Sequence, residues 1–244
     1  VQIADGGRRP ETGWVKRVEW LEVGASLALW QKLALASGWV VAVIGLAESL
    51  NRLQVINAEG VRKIVHIGIG NVIVLAWWLQ IPTWLGIGAS LLFSGVTLLS
   101  YRFPILPGIN SVGRQSLGTF FYTVSFGVLI ALFWPMQPQF AVLGILIMAW
   151  GDGLAALVGQ AWGKNRYFIW GMKKSWEGSL AMLIVSHLIA SGVLFSQGYS
   201  GFWWMGLGVA IAATALESFS KYGIDNLTVP LGSGAIAFFL SQNL

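Results

Sequence analysis

Residues 140–162 read FAVLGILIMAWGDGLAALVGQAW, an apolar run broken by one carboxylate, Asp152, between Gly151 and Gly153. A bilayer core about 30 Å thick is crossed by about 20 helical residues rising 1.5 Å each, so this run is long enough to cross a membrane. The rest of the chain agrees. Of its 244 residues, 56% are hydrophobic and 10% charged, where a soluble domain carries about 25% charge. Such a composition cannot cover a water-facing surface, and its apolar content also excludes disorder. Apolar stretches near 32–50, 64–81, 83–99, 117–134, 140–162, 178–196, 201–216 and 228–241 predict an all-α polytopic membrane protein, a bundle of seven or eight transmembrane helices with short loops. The chain has no Cys, which removes disulfides, thiolate metal sites and thiol nucleophiles together.

From residue 51 onward the connections alternate between charged and uncharged. Segments 51–63, 100–116, 163–177 and 217–228 hold Arg52, Arg62, Lys63, Arg102, Arg114, Lys164, Arg166, Lys173, Lys174 and Lys221, ten of the 15 basic residues, whereas the turns near 80–84, 135–139 and 197–201 carry no charge. By the positive-inside rule the basic face is cytoplasmic or its equivalent, and Trp77, Trp78, Trp84, Trp134, Trp203 and Trp204 mark the opposite interface as an aromatic belt. The net charge of +5 is thereby explained by sidedness and calls for no nucleic-acid partner. Residues 1–31 form a separate polar segment with an expected interfacial or re-entrant helix, and 32–244 one transmembrane domain. With no initiator Met, the natural chain is expected to begin upstream.

An ionised Asp at membrane depth costs several kcal/mol unless it is paired or hydrated, which makes Asp152 a functional candidate. The structural alternative is a pair with a Lys from a neighbouring helix. Gly151 and Gly153 let the helix unwind or let a backbone or ligand come close. Ala155, Gly159 and Gly163 continue along one face, as a packing stripe or a ligand surface. Lys173-Lys174-Ser175-Trp176-Glu177 then opens the next apolar run, an arrangement suited either to a polyphosphate at a helix N-terminus or to a capped helix behind a positive loop. Arg62, Lys63 and His66 share one helical side. Asp225-Asn226 and Glu217 flank the last basic-face loop, and Arg114 is either an anchor or a phosphate contact. Together these give carboxylates able to hold Mg²⁺ beside cations able to hold phosphates, the requirements of phosphoryl transfer. Neither a P-loop nor a protein-kinase motif is present. His187, in an apolar run without charged neighbours, reads as structural.

Asp152-x-x-Ala155-x-x-x-Gly159-x-x-x-Gly163 followed by Lys173-Lys174-Ser175-x-Glu177-Gly178-Ser179 resembles the nucleotide-binding signature of the polyprenol kinase family, which includes the CTP-dependent dolichol kinases. Arg62-Lys63-x-x-His66 and Asp225-Asn226-Leu227-Thr228-Val229-Pro230 resemble more specifically the phytol kinases of plastids and photosynthetic bacteria. The resemblance covers residues 60 to the C-terminus. It implies a transmembrane kinase domain that phosphorylates the terminal hydroxyl of an isoprenoid alcohol (phytol first, also farnesol or geranylgeraniol) with CTP or another nucleoside triphosphate and Mg²⁺. The product would enter tocopherol and prenyl-lipid synthesis or salvage. The implied location is a bacterial cytoplasmic, thylakoid or plastid membrane, with the site on the cytoplasmic or stromal face. Carried over by motif, Asp152 and Glu177 are catalytic or metal-binding carboxylates, with Asp225 a further metal ligand. Lys173, Lys174, Ser175, Gly159, Gly163 and Arg114 would bind nucleotide; Arg62, Lys63, His66, Asp225 and Asn226 complete the polar site.

Three other readings are distinguishable by experiment. A cytidylyltransferase would release pyrophosphate instead of CDP, and a prenyl-phosphate kinase would prefer the monophosphate to the alcohol. A transporter would use Asp152 as a coupling-ion ligand on a broken helix, but no second interrupted helix matches the first.

Overall fold

The computed structural model describes residues 23–103 and 117–243. In chain order its helices are α1 (Leu29–Arg52), α2 (Ala58–Gly70), α3 (Val72–Trp78), α4 (Thr83–Ser100), α5 (Gly118–Phe133), α6 (Pro138–Leu146), a π-helical segment (Ile147–Asp152), α7 (Gly153–Trp162), α8 (Trp176–Ser196), α9 (Phe202–Ser218) and α10 (Asp225–Asn243). Helices α6, π and α7 run on as one rod, Pro138–Trp162, and α2 with α3 forms another, Glu59–Trp78. These two, with α1, α4 and α8, are long and apolar enough to cross a membrane; α5 and α9 are shorter apolar helices. The chain is therefore a multi-pass membrane protein of the all-α class. The N-terminal segment through residue 22 and Arg114 lie outside the described residues.

The rod around Asp152 is the axis of the molecule. In its most apolar stretch 67% of the residues are buried, against 11% in α1 and 17% in α4. Phe140, Leu143, Ile147 and Met148 are fully enclosed and pack with Met182, Leu194, Val209 and Val229 from α8, α9 and α10. By contrast, Val41 and Leu46 on α1 and Leu91, Leu92 and Phe93 on α4 are exposed, the surface a helix presents to lipid. Trp84, Trp203 and Trp204 are exposed at the end away from the charged loops, and Trp134 donates its indole N–H to the Ile81 carbonyl at 2.8 Å.

Lipid tails are as apolar as leucine, so packing inside such a bundle depends on close backbone approach at small residues. At Gly144 a Cβ would fall 2.4 Å from the Pro230 carbonyl oxygen of α10. Pro230 sits inside α10, and the two backbones meet there with no side chain between them.

The connection 163–177 is not an open loop. Strands β1 (Arg166–Ile169) and β2 (Met172–Ser175) pair antiparallel, with Tyr167 opposite Lys174 and Phe168 opposite Lys173. Trp170 and Gly171 make the turn with φ of 47° and 76°, the double positive φ of a two-residue hairpin connection.

Gly144→Ala is expected to lower the thermal midpoint of the detergent-solubilised protein, because neither backbone can give way; overpacking costs about 1–3 kcal/mol. Gly95→Ala in α4, where a Cβ would meet nothing within 4 Å, should leave the midpoint unchanged or raise it, since Ala is better than Gly in a helix by about 1 kcal/mol.

Candidate active site

Asp152 closes the π-helical segment. The glycines on either side of it are needed for contact on two fronts. A Cβ at Gly151 would lie 2.7 Å from Met182 Sδ of α8, and one at Gly153 would lie 2.7 Å from the Ile67 side chain of α2. The rod stays continuous but widens by a π turn, a local adjustment found often at functional sites.

Its carboxylate is met from α2. Lys63 Nζ donates to Asp152 Oδ2 at 2.5 Å, with side-chain exposures of only 3% and 13%. His66 lies one turn on, its Nε2 3.3 Å from the Met148 carbonyl and 3.6 Å from Asp152 Oδ2. With acceptors on both sides, Nε2 is assigned the ring proton. Behind the ring, Tyr122 of α5 stacks at 4.3 Å and donates its hydroxyl to the His66 carbonyl at 3.1 Å. The start of α2 follows from local sequence: Asn57 caps it by accepting from Gly60 N at 2.8 Å, and Glu59 in the first turn pairs with Arg62.

Strand alternation separates the two adjacent lysines. Tyr167, Ile169, Met172 and Lys174 occupy the less exposed face of the hairpin, and Phe168 and Lys173 the exposed one. Lys174 Nζ donates to both the backbone carbonyl and the carboxylate of Glu217, at the end of α9. Tyr167 shares its hydroxyl with Ser179 at 2.6 Å and Ser218 at 3.2 Å. Ser175 is the N-cap of α8, accepting from Gly178 N at 3.1 Å. Gly159 and Gly163 of the preceding helix lie against Ser175, where a Cβ would come within 3.0 Å and 2.9 Å of its side chain. Their smallness therefore lets α7 meet the start of α8.

The charges on these elements lie within electrostatic reach of one another and make one polar cluster, a charged basin. Arg62 feels both Asp152 and Asp225. The charges of Asp152, Lys174 and Lys63 act on Asp225, and those of Lys174, Asp152 and Asp225 on Glu217. Asp225 Oδ1 accepts from the backbone and side-chain nitrogens of Asn226 at 3.0 and 2.9 Å, and Asn226 also reaches the Gly223 carbonyl at 3.2 Å. The structure thus brings Arg62, Lys63, His66, Asp152, Lys174, Asp225 and Asn226 together. Glu177 has another engagement: Oε1 accepts from Asn165 N at 3.0 Å and from its side-chain amide at 2.9 Å, clasping the base of the hairpin. Lys173 projects from the exposed face. His187 sits apart, edge-on to Trp203 at 4.4 Å.

Glu217 is the member of the basin that motif reasoning did not select. Its signal was position: a lone acidic residue ending an apolar run, eight residues before Asp225. Among the described residues no three His, Asp or Glu side chains converge as a ready-made metal cage. Asp152 and Asp225, each within reach of the other's charge, nevertheless suit Mg²⁺, which is commonly held by one or two carboxylates and completed by phosphates and water.

Carboxylates, lysines and an arginine at one end of an apolar bundle are the groups that a membrane-embedded enzyme needs to handle a polyanion next to a lipid. The chain is 53% identical to the phytol kinase of Synechocystis sp. over 218 residues, 87% of this chain and 93% of that protein. It is 28% identical to phytol kinase 1, chloroplastic, of Arabidopsis thaliana over 90% of this chain and 76% of that protein. The probable phytol kinase, chloroplastic, of Triticum aestivum is 27% identical over 80% of this chain and 72% of that protein. No family model and no solved structure matches. The chain belongs to the phytol kinase family.

Lys63→Met leaves the Asp152 carboxylate buried without its cation. Breaking a buried pair on one side typically costs about 3–5 kcal/mol, so this variant should lose most of its heat resistance. The double variant Lys63→Met with Asp152→Asn should recover part of the loss in thermal denaturation followed by size-exclusion chromatography.

Proposed function

We propose that this chain is a phytol kinase, phosphorylating the terminal hydroxyl of phytol, and of related prenols such as farnesol and geranylgeraniol, with CTP or another nucleoside triphosphate as donor. The monophosphate would serve tocopherol and prenyl-lipid synthesis or salvage. The observation that carries the reading is the charged basin around Asp152 in a chain 53% identical to a phytol kinase over nearly the whole of that protein. Residues 32–244 form the kinase domain, crossing the membrane seven or eight times, with residues 1–31 as a polar entry segment. The basic loops and the basin face the cytoplasm or stroma of a bacterial, thylakoid or plastid membrane.

In this mechanism the alcohol's hydrocarbon tail stays among the apolar helices and its hydroxyl rises into the basin. Lys63 engages Asp152 Oδ2, which fixes the carboxylate and leaves Oδ1 to orient the hydroxyl and take its proton. The hydroxyl oxygen attacks the γ-phosphorus in line, the bond to the β–γ bridging oxygen breaks, and the nucleoside diphosphate leaves. Lys174 holds the phosphates, with Arg62 and Lys173 as further cations; Arg114, outside the described residues, is a further phosphate contact on the motif reading alone. His66, anchored on the Met148 carbonyl, places its Nε2 3.6 Å from Asp152 Oδ2 and so steadies the carboxylate. Asp152 and Asp225 would hold Mg²⁺, which when bound neutralises charge on the phosphate oxygens. Asn226 orients Asp225, while Ser175, Gly159, Gly163 and Glu177 shape the hairpin and helix start on which Lys174 depends.

The test is to purify the protein in detergent and supply phytol, Mg²⁺ and γ-labelled CTP or ATP. Label is expected in phytyl monophosphate with release of the nucleoside diphosphate. Pyrophosphate release, or no labelled prenyl phosphate, would refute the reading. A comparison of variants checks the placement of the centre. Asp152→Asn should reduce kcat by at least about 100-fold, the scale of a lost general base, whereas Glu177→Gln should reduce it far less, since an amide oxygen can still accept from Asn165.

A further inference from the structure

The basin contains one contact that the mechanism above does not use. Lys174 and Glu217 are drawn from different parts of the chain and meet in the interior, with side-chain exposures of 17% and 9%. A buried ion pair is no asset to stability in itself, because apolar residues of the same volume often serve as well or better. What such a pair supplies is position.

The geometry is specific. An ammonium group has three N–H donors, and Lys174 directs two of them at one residue: the Glu217 carboxylate and, at 2.8 Å, the Glu217 backbone carbonyl. That carbonyl belongs to the last turn of α9, the negative end of the helix dipole. The neighbouring contact reinforces the arrangement. Tyr167, the β-ladder partner of Lys174, reaches Ser218, the residue after Glu217. The less exposed face of the hairpin is thus tied to the end of α9 at two adjacent residues, Glu217 and Ser218, and through Tyr167 to Ser179 of α8 as well. A free lysine spreads its charge over many rotamers, at an entropy of about 2 kcal/mol that has to be surrendered whenever it binds. Lys174 has already surrendered it.

We infer that Glu217 is a positioning residue for the nucleotide. It holds Lys174 Nζ in one place near Asp225, leaves one N–H for a phosphate oxygen, and makes no contact with the alcohol. The inference rests on the kinase reading for the identity of the anion, a nucleoside triphosphate. It accounts for why a carboxylate, which repels phosphate, stands in a phosphate site: its charge is spent on the lysine.

The test is Glu217→Gln, which keeps shape and the backbone carbonyl but removes the charge that orders Lys174. CTP binding, measured by equilibrium dialysis without turnover, should weaken by about tenfold, the scale of one hydrogen bond to a charged group. The KM for CTP should rise in parallel, with the KM for phytol unchanged. Because Glu217 acts through Lys174, Glu217→Gln should add nothing to Lys174→Met in a double-mutant cycle. Unchanged CTP binding, equal rises in both KM values, or additive effects would overturn the role. If Glu217→Gln is not recovered as a monodisperse protein, Glu217→Asp takes its place. It keeps the charge and shortens the reach, and should give the same split at smaller size; unchanged CTP binding would again refute the role. Wild-type protein that binds CTP but phosphorylates no prenol would defeat the kinase reading alone, since the dialysis comparison still decides the role of Glu217.

Discussion

A carboxylate buried in the middle of a membrane helix must be answered by a cation, and the architecture is arranged around that answer. The Lys63–Asp152 pair fixes α2 against the central rod at one depth and one rotation. The contacts that surround it can exist only in that setting: Ile67 beside Gly153, the His66 ring between Tyr122 and the Met148 carbonyl, and Met182 over Gly151. Apolar helices in lipid slide past one another at little cost, since every face is equally content. A buried charge pair removes that freedom, as polar groups do where they fix register in other helical assemblies.

The same economy shapes the rest of the site. Among the described residues, the charges gathered near Asp152 are carried by the starts of α2, α8 and α10, the end of α9 and the hairpin. The hairpin brings a soluble-protein element, strand pairing with a tight turn, to the mouth of a membrane bundle. It is held by polar side chains: Asn165 to Glu177, Tyr167 to Ser179 and Ser218, Lys174 to Glu217. Where the hairpin faces outward, Phe168 and Trp170 are exposed, and Trp170 lies 5.7 Å from Phe219 across the junction. On the kinase reading proposed above, an apolar body under a polar mouth lets a lipid alcohol and a nucleotide each approach from its own solvent.

Much of this was written in the sequence because single residues stood out against a uniform background. Asp152 is conspicuous in a run of 23 residues that is otherwise free of charge, and the apolar runs between the basic loops already marked a multi-pass membrane protein. Helix lengths follow from the bilayer. Other features were hidden for physical reasons. The π turn, with Met182 and Ile67 packed on the glycines either side of Asp152, matches no local sequence pattern. The hairpin was hidden because its four-residue strands are too short to show a period, and its turn uses Trp170 at positive φ, where Asn or Gly is the usual signal. Glu217 read as one more loop charge, since its importance comes from a lysine 43 residues away. The separation of Lys173 from Lys174 could not be seen until the segment was known to be a strand; on a helix or in a loop, adjacent lysines can share one target.

That last point carries a constraint on how this stretch of chain can change. In a strand the side-chain period is two, so the distance in sequence from the Trp170–Gly171 turn to Lys174 has a parity. Adding or removing one residue there would turn Lys174 outward and bring a neighbour to Glu217 in its place. Insertions of two would lengthen the ribbon yet keep the same lysine inside. The hairpin therefore tolerates drift in composition far more readily than drift in length. Among distant members of the family, its size should vary, where it varies at all, in even steps.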